Sequence, residues 1–255
     1  MNRSIAAGAA WMIGLRLCVT AMGLISTLIL ARLLEPADFG LVALGTALVA
    51  AFDLLTNFRF DVPLIQSQTA TREDYDSAWT LNLAMGLTLG LLLSVTAHPA
   101  ARFFAEPRLS GVVFVLAGVA AVDGAQNIGV VNFRKEFAFG REFVFSASRK
   151  VASVLVGVVC AWVFRSYWAL AAGVAASSAW GLVASYVMHP FRPRFCTRST
   201  RMLLVFSKWL VLDNIVQFLR FRSSDLLIGR IVGTGSLGLF NIANEVAWLP
   251  QNTLT

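Results

Sequence analysis

Ionisable and amide side chains recur inside the long apolar stretches of this 255-residue sequence, where they could bind an ion or an anion. Four residues share one helical face by their spacing of i, i+4, i+7 and i+11: Arg16, Thr20, Gly23 and Thr27. A second set repeats this spacing: Asp213, Gln217, Arg220 and Ser224. Further candidates stand in or beside apolar runs: Asp53, Arg59, Asp61, Asp123, Gln126, Asn127, Arg222 and Asp225.

Such groups are costly in a membrane and face the interior of a helix bundle, so we expect a polar cavity. Arginine binds two phosphate oxygens with its planar fork, which predicts an anionic substrate at Arg16, Arg59, Arg220 and Arg222. Carboxylates and amides are expected to line the cavity or to take up the proton or Na⁺ that drives transport: Asp53, Asp123, Gln126, Asn127, Asp213, Gln217 and Asp225.

Three of these residues also fit structural roles. The head of Arg16 could reach the membrane interface along its own stem, because it lies only eight residues past Gly8. Arg59, with the neighbouring Asp61, could mark the edge of the next loop. Asp123 could do no more than hydrogen-bond between helices.

The composition predicts an all-α integral membrane protein. Hydrophobic residues make up 57% of the chain, charged residues 14%, and the mean hydropathy is +0.71, whereas soluble domains carry about 25% charged residues. A length of 255 residues allows about seven or eight spans of about 20 residues. The predicted helices cover about 8–34, 36–60, 78–97, 110–131, 151–164, 168–188 and 203–232, with an eighth from 237.

The net charge of +7 predicts the orientation of these spans. With the N-terminus in the cytoplasm, twelve of the 21 Lys and Arg residues fall on the cytoplasmic side and five on the other. Such a bias favours this orientation. Nucleic-acid binding is excluded as an explanation of the charge, because no soluble basic domain is present.

The segment 133–150 holds five Phe and five basic residues, which fits either a helix lying in the interface or an extension of the fifth span.

Two ten-residue stretches, Arg32–Leu41 and Arg230–Leu239, share the pattern Arg, two aliphatic residues, four variable ones, an apolar residue, Gly and Leu. They are 198 residues apart, and each joins a long span to the next. A repeat of six spans has an even number, so both copies share one orientation, as in parallel-repeat transporters. We therefore predict a six-helix lobe over 1–198 and the start of a second, parallel lobe over 199–255.

Enzymatic, metal and cofactor chemistry find no support in the residue pattern. The three cysteines are far apart and form neither a disulfide framework nor a metal-binding spacing: Cys18, Cys160 and Cys196. The connections between spans are shorter than the extramembrane loop that a membrane glycosyltransferase needs. The sequence predicts no cofactor, no metal site and no catalytic residues.

Several segments resemble the oligosaccharide and polysaccharide flippase family of bacterial inner membranes. They include RLLEPADFGLVAL from Arg32, NFRKEFAF from Asn132 and DLLIGRIVGTGSLGLF from Asp225. That family belongs to the same superfamily as the lipid II flippases and the multidrug and toxin exporters. The resemblance runs along essentially the whole chain.

The resemblance implies two six-helix lobes around a central cavity and alternating access. It implies the transfer of an oligosaccharide linked to polyprenyl diphosphate across the inner membrane, for polysaccharide or lipopolysaccharide biosynthesis. Membrane lipids, a glycan polymerase and glycosyltransferases are the implied partners. The alternatives are a drug or metabolite exporter of the same superfamily, or an inactive fragment. Family members are nearly twice as long, so we expect a truncated sequence that does not transport alone.

Overall fold

A computed structural model of the chain describes residues 19–56, 58–67, 69–221 and 223–247, and these ranges contain helices and no strand. The helices in chain order are α1 (Val19–Leu33), α2 (Pro36–Thr56), α3 (Asp61–Gln66), α4 (Arg72–Phe103), α5 (Leu109–Gly124), α6 (Asn132–Lys135), α7 (Phe139–Phe164), α8 (Trp168–Met188), α9 (Thr200–Phe221), α10 (Ser223–Ile231) and α11 (Thr234–Ala247). A 3₁₀ turn, Ile128–Val131, precedes α6.

Four of the described helices are long and apolar enough to cross a membrane: α2, α4, α7 and α8. A fifth candidate is the pair formed by α5 and the segment Ile128–Lys135, which is bent by 73°. The prediction of an all-α, multi-pass membrane protein is confirmed. Helices satisfy their own backbone hydrogen bonds, which a bilayer without water requires.

Two predicted helix boundaries were wrong. Helix α4 begins earlier than 78 because Thr71 and Asp74 form a capping box, in which the Thr71 N–H donates to the Asp74 carboxylate over 2.8 Å. Helix α5 ends at Gly124 and not near 131. The predicted helix over 203–232 corresponds to α9 and α10, which are helical on both sides of position 222 in the described residues.

The segment rich in Phe and basic residues divides between two helices. Phe133 lies in α6, and from Phe139 onward the segment forms the first turns of α7. Most of it is therefore an extension of the fifth predicted span, which was one of the two interpretations of the sequence. Helix α7 is 26 residues long, or about 39 Å at 1.5 Å per residue.

The helix ends define two faces of the bundle. The basic end is where α2, α5 and α8 end and α4, α7 and α9 begin, and its connections include Arg134, Lys135, Arg192, Arg194 and Arg198. The opposite end is where α2 begins and α4 ends. The main core lies between α2, α4 and α5, and Leu41, Leu93 and Val112 in it are fully buried.

A non-helical segment at the basic end, 189–199, is held along the first turns of α4. The backbone N–H groups of Arg194, Cys196 and Ser199 donate to side-chain oxygens of Asp76, Thr80 and Ser77, over 2.9, 3.1 and 3.2 Å. Asp76 and Ser77 are buried. Side chains of α4 thus supply the partners that this connection lacks within itself.

The two copies of the sequence repeat pack directly against each other, through Gly40 of α2 and Gly238 of α11. A Cβ atom on Gly40 would lie 1.8 Å from the carbonyl oxygen of Thr234, and a Cβ on Gly238 would lie 1.7 Å from the carbonyl oxygen of Pro36. Pro36 and Thr234 are themselves 198 residues apart, so the contact is reciprocal. Only glycine permits the two backbones to come this close.

Gly40→Ala is expected to lower the free energy of unfolding by about 1–3 kcal/mol, because the added methyl group must force α2 and α11 apart. The matched control is Gly118→Ala in α5, where a Cβ would have no atom within 4 Å. Thermal unfolding of the purified chain in detergent measures both variants. Equal melting temperatures for Gly40→Ala and Gly118→Ala would contradict the close contact.

Candidate functional site

A cavity of about 530 Å³ lies between α2, α4, α5 and α8, towards the basic end. Its lining includes the carboxylates of Asp53 and Asp123, with Thr46, Thr56 and Asn82 as further polar residues. None of the described lining residues is Lys or Arg. We call this space the carboxylate cavity, because two of the predicted site residues meet in it.

Close packing of α4 on α5 forms one wall of the carboxylate cavity. A Cβ on Gly86 would lie 2.6 Å from the carbonyl oxygen of Ala120, and a Cβ on Gly124 would lie 2.7 Å from that of Asn82. The two glycines therefore let the helix backbones touch. This contact brings Asn82 of α4 beside the end of α5, where Asp123 projects.

The Asp123 carboxylate is the centre of a small polar network. Its Oδ1 atom accepts hydrogen bonds from Ser178 Oγ at 2.7 Å and Gln126 Nε2 at 2.5 Å. Arg149 Nη2 lies 3.5 Å from the same oxygen and forms an ion pair with it. Asp123 thus hydrogen-bonds between helices, since these partners lie on α7, on α8 and beyond the end of α5.

Arg149 is a functional candidate that sequence reasoning missed. It lies ten residues inside α7, about 15 Å from the first residue of that helix, and is one of the five basic residues of the segment 133–150. Its Nη1 also contacts Gln126 Oε1 at 3.4 Å, and its guanidinium carbon is 5.8 Å from the centre of the Phe145 ring. Gly181 leaves room for it, since a Cβ there would lie 2.7 Å from Arg149 Nε.

A second cation approaches the predicted stripe on α1. Lys150 Nζ would be 3.2 Å from a Cβ on Gly23, so the lysine fills the space that this glycine leaves. Thr20 and Thr27, on the same stripe, each interact with other residues. The stripe therefore has a basic neighbour from α7, which the sequence did not predict.

Asn127 is fully buried but lies outside the carboxylate cavity. Its Nδ2 atom donates to the carbonyl oxygen of Phe191 at 2.7 Å, and its Oδ1 accepts from the N–H of Gly129 at 2.9 Å. Its own N–H donates to Ser185 Oγ at 3.0 Å. Asn127 thus ties the bend after α5 to the end of α8.

His189 packs beside this bend. Burial lowers the pKa of its imidazole below the ordinary value. Burial therefore favours the neutral ring, whose Nδ1 accepts a hydrogen bond from the N–H of Phe191 at 3.2 Å. The ring packs directly against Gly129, where a Cβ would lie 2.2 Å from Nδ1, so this position has no room for a side chain.

Three other predicted site residues, all within the described part of the chain, do not line this cavity. Arg59 is exposed, has a left-handed backbone with φ of 48°, and lies in the connection between α2 and α3. Gln217 is exposed on α9, and Asp225 is buried in the first turn of α10. Arg16, Arg222 and the side chains of Asp213 and Arg220 lie outside the described part of the chain. The described residues contain no cluster of His, Cys, Asp and Glu that could hold a metal ion.

Two neighbouring amides have different roles: Asn127 is structural, and Gln126 donates to the Asp123 carboxylate beside the cavity. Asn127→Ala is expected to lower the free energy of unfolding by on the order of 3 kcal/mol, because it leaves buried backbone groups without partners. Gln126→Ala should cost less than about 1 kcal/mol, since its partners are partly exposed to solvent. Thermal unfolding in detergent compares the two variants. A larger loss in Gln126→Ala than in Asn127→Ala would contradict this assignment.

Comparisons with known proteins agree with this architecture. A family model described as "Polysaccharide biosynthesis protein" matches residues 29–255. The lipopolysaccharide biosynthesis protein WzxC of Escherichia coli (strain K12) is 26% identical and covers 97% of this chain and 51% of its own length. The succinoglycan biosynthesis transport protein ExoT of Rhizobium meliloti (strain 1021) is 25% identical, with 89% and 46% covered.

The teichuronic acid biosynthesis protein TuaB of Bacillus subtilis (strain 168) is 24% identical and covers 98% of this chain and 53% of its own length. The chain therefore spans about half the length of the curated relatives that it matches. No solved structure matches it. The family model, the relatives and the apolar helices together identify the chain as a multi-pass membrane protein of the polysaccharide biosynthesis family.

Proposed function

We propose that the gene for this chain encodes a transporter, and not an enzyme, that moves a lipid-linked oligosaccharide across the bacterial inner membrane. The carrier lipid is a polyprenyl diphosphate, and the product serves polysaccharide or lipopolysaccharide biosynthesis. Glycosyltransferases act before this step, and a glycan polymerase acts after it. The transport function of ExoT and the lipopolysaccharide function of WzxC, as their names give them, support this proposal.

The observation that carries the mechanism is the different environment of the two ends of α2. Near its first turn, Gly40 is in backbone contact with α11. Asp53, 13 residues further on, lines the open carboxylate cavity, about 20 Å away along the helix axis. A bundle that is closed at one end and open at the other is what one state of alternating access requires. The reciprocal contact of the two repeats supports a division into two lobes.

The proposal assigns different tasks to the carboxylates and the arginines. Two ionised carboxylates in one cavity repel each other, and a bound proton or Na⁺ removes that repulsion. Asp53 and Asp123 are therefore the proposed ion-coupling residues, and Arg149 balances part of their charge. The anionic diphosphate needs cations, for which Arg16, Arg59, Arg220 and Arg222 remain the proposed ligands.

The basic end of the bundle is proposed to face the cytoplasm, with the N-terminus on the same side. Lys and Arg are enriched in cytoplasmic connections of membrane proteins. In this orientation the carboxylate cavity opens to the compartment where lipid-linked oligosaccharides are made, and the contact between Gly40 and Gly238 closes the periplasmic side.

Replacement of the chromosomal gene tests the transport function. Deletion is expected to abolish the surface polysaccharide and to leave its lipid-linked precursor on the cytoplasmic leaflet, where an impermeant sugar-modifying reagent added to spheroplasts does not reach it. Wild-type amounts of polysaccharide, with the precursor accessible from outside, would contradict the proposal.

Asp53→Asn is expected to reduce export at least about tenfold with normal membrane insertion, because an amide takes up neither a proton nor Na⁺ and coupling free energies are about 1–3 kcal/mol. Surface polysaccharide per inserted protein is the measurement. Glu73→Gln, which removes an exposed ion pair with Arg198 at the same end of the bundle, is the matched control. If both variants export normally, Asp53 is not a coupling residue.

A drug or metabolite exporter is the second candidate, and the acidic lining of the carboxylate cavity favours it, because cationic compounds prefer an acidic cavity. The two functions differ in their readout. An exporter predicts that deletion sensitises the host to cationic dyes while the surface polysaccharide is unchanged. The glycan transporter predicts the reverse.

A further inference from the structure

A second cavity, of about 610 Å³, opens at the basic end between α3, α4 and the segment around α6. It shares no lining residue with the carboxylate cavity. Its polar lining includes Gln66, Tyr75, Asn132 and Lys135. We call it the basic-end pocket.

Lys135 is fixed at the wall of this pocket by an aromatic side chain. Its Nζ atom lies 3.4 Å from the Tyr75 hydroxyl and 5.7 Å from the centre of the Tyr75 ring. The Tyr75 hydroxyl donates its own proton to Asn132 Oδ1 at 2.6 Å, so its oxygen is free to accept from the ammonium group. Tyr75 is buried, and this pairing holds the lysine at a defined place.

The ammonium group of Lys135 retains binding capacity. An ammonium has three N–H donors, and Tyr75 takes one. Within the described part of the chain, no carboxylate forms an ion pair with Lys135, whereas Arg134, which lines the same pocket, is paired with Glu142. Glu136 also lines the pocket and is exposed.

The charge around the pocket is positive. Arg72 packs against the ring of Phe191, at 5.7 Å from its centre, and Phe191 in turn contacts Tyr75. Arg141 and Arg192 are both close enough to act on His189, which contacts Asn132. Arg72 is paired with Asp76 over 3.7 Å. The remaining cations, Arg141, Arg192 and Lys135, outnumber the carboxylate of Glu136, so the field near the pocket favours an anion.

An apolar rim places the pocket beside the lipid. Phe137 is 75% exposed, and its ring packs edge-on against Phe139 at 5.8 Å between centres. Phe137 lies between two candidate spans, after the bent pair that ends at Lys135, and Phe139 is the first residue of the next span, α7. Aromatic side chains at span ends lie at the level of the lipid headgroups.

We propose that the basic-end pocket binds the phosphate group of a membrane lipid, with Lys135 as its main ligand and Phe137 against the acyl or prenyl chain. Basic pockets between transmembrane helices on the cytoplasmic side bind anionic headgroups in this way. The chemistry is shared by a glycerophospholipid headgroup and by a polyprenyl diphosphate. The site is separate from the carboxylate cavity and does not depend on the proposed transport function.

The test measures lipid retention by the purified chain in neutral detergent, with native mass spectrometry as the readout. Phosphatidylglycerol is the anionic probe and phosphatidylcholine the zwitterionic one. Lys135→Gln is expected to weaken phosphatidylglycerol binding about fivefold, which corresponds to about 1 kcal/mol for one cation at the membrane surface. Lys135→Arg should retain most of the binding.

Arg194→Gln is the matched control, because Arg194 is exposed at the same end of the bundle but does not line the pocket. The proposal is overturned if Lys135→Gln and Arg194→Gln, both folded by thermal unfolding, bind phosphatidylglycerol as tightly as the parent chain. Preference for phosphatidylcholine would overturn it as well.

Competition identifies the source of the phosphate. Displacement of phosphatidylglycerol by farnesyl diphosphate at lower concentration supports the prenyl carrier as the natural ligand, and failure of that displacement supports a glycerophospholipid. Equal displacement by inorganic phosphate at the same concentration would show that no lipid chain is bound and would overturn the proposal.

Discussion

The absence of water in a bilayer is the constraint on which the rest of this structure depends. Each polar group that enters the bundle has to find its partner in the protein. At the basic end, Asn127 supplies hydrogen bonds to the bend after α5, and buried side chains of α4 supply them to the segment 189–199. These bonds supply partners to backbone groups where the chain leaves helical geometry.

The same constraint explains why charge inside the bundle is clustered. Asp123 shares its carboxylate oxygen with Ser178, Gln126 and Arg149, which come from three parts of the chain. An ion pair of this kind holds α7 and α8 beside the end of α5. The second carboxylate of the cavity, Asp53, lies on a different helix, α2.

The sequence predicted the helices better than their ends. Apolar periodicity located α8 at 168–188 because both of its boundaries coincide with a change of composition. It did not detect the bend at Gly124, since the residues after the bend, Ile128–Val131, are as apolar as those before it. Helix α4 extends past its apolar run because hydrogen bonds of Thr71 and Asp74, and not hydrophobicity, determine its start.

The candidate site was partly predictable for a similar reason. A carboxylate in an apolar run, such as Asp53 or Asp123, is visible in the sequence because its burial is costly. Arg149 was not, since it follows a segment whose charges resemble an ordinary loop, and only the early start of α7 places it within reach of Asp123. Lys135 was hidden in that segment as well, because its fixed position depends on Tyr75, 60 residues earlier in the chain.

The reciprocal contact of Gly40 and Gly238 has a consequence for how the repeat can evolve. At each site the obstructing atom is a backbone carbonyl oxygen, of Thr234 or of Pro36. No change of side chain on the opposite helix can make room, so neither glycine can be compensated by a mutation at the other. Each glycine is therefore required on its own account, and the loss of either one separates the same pair of helices.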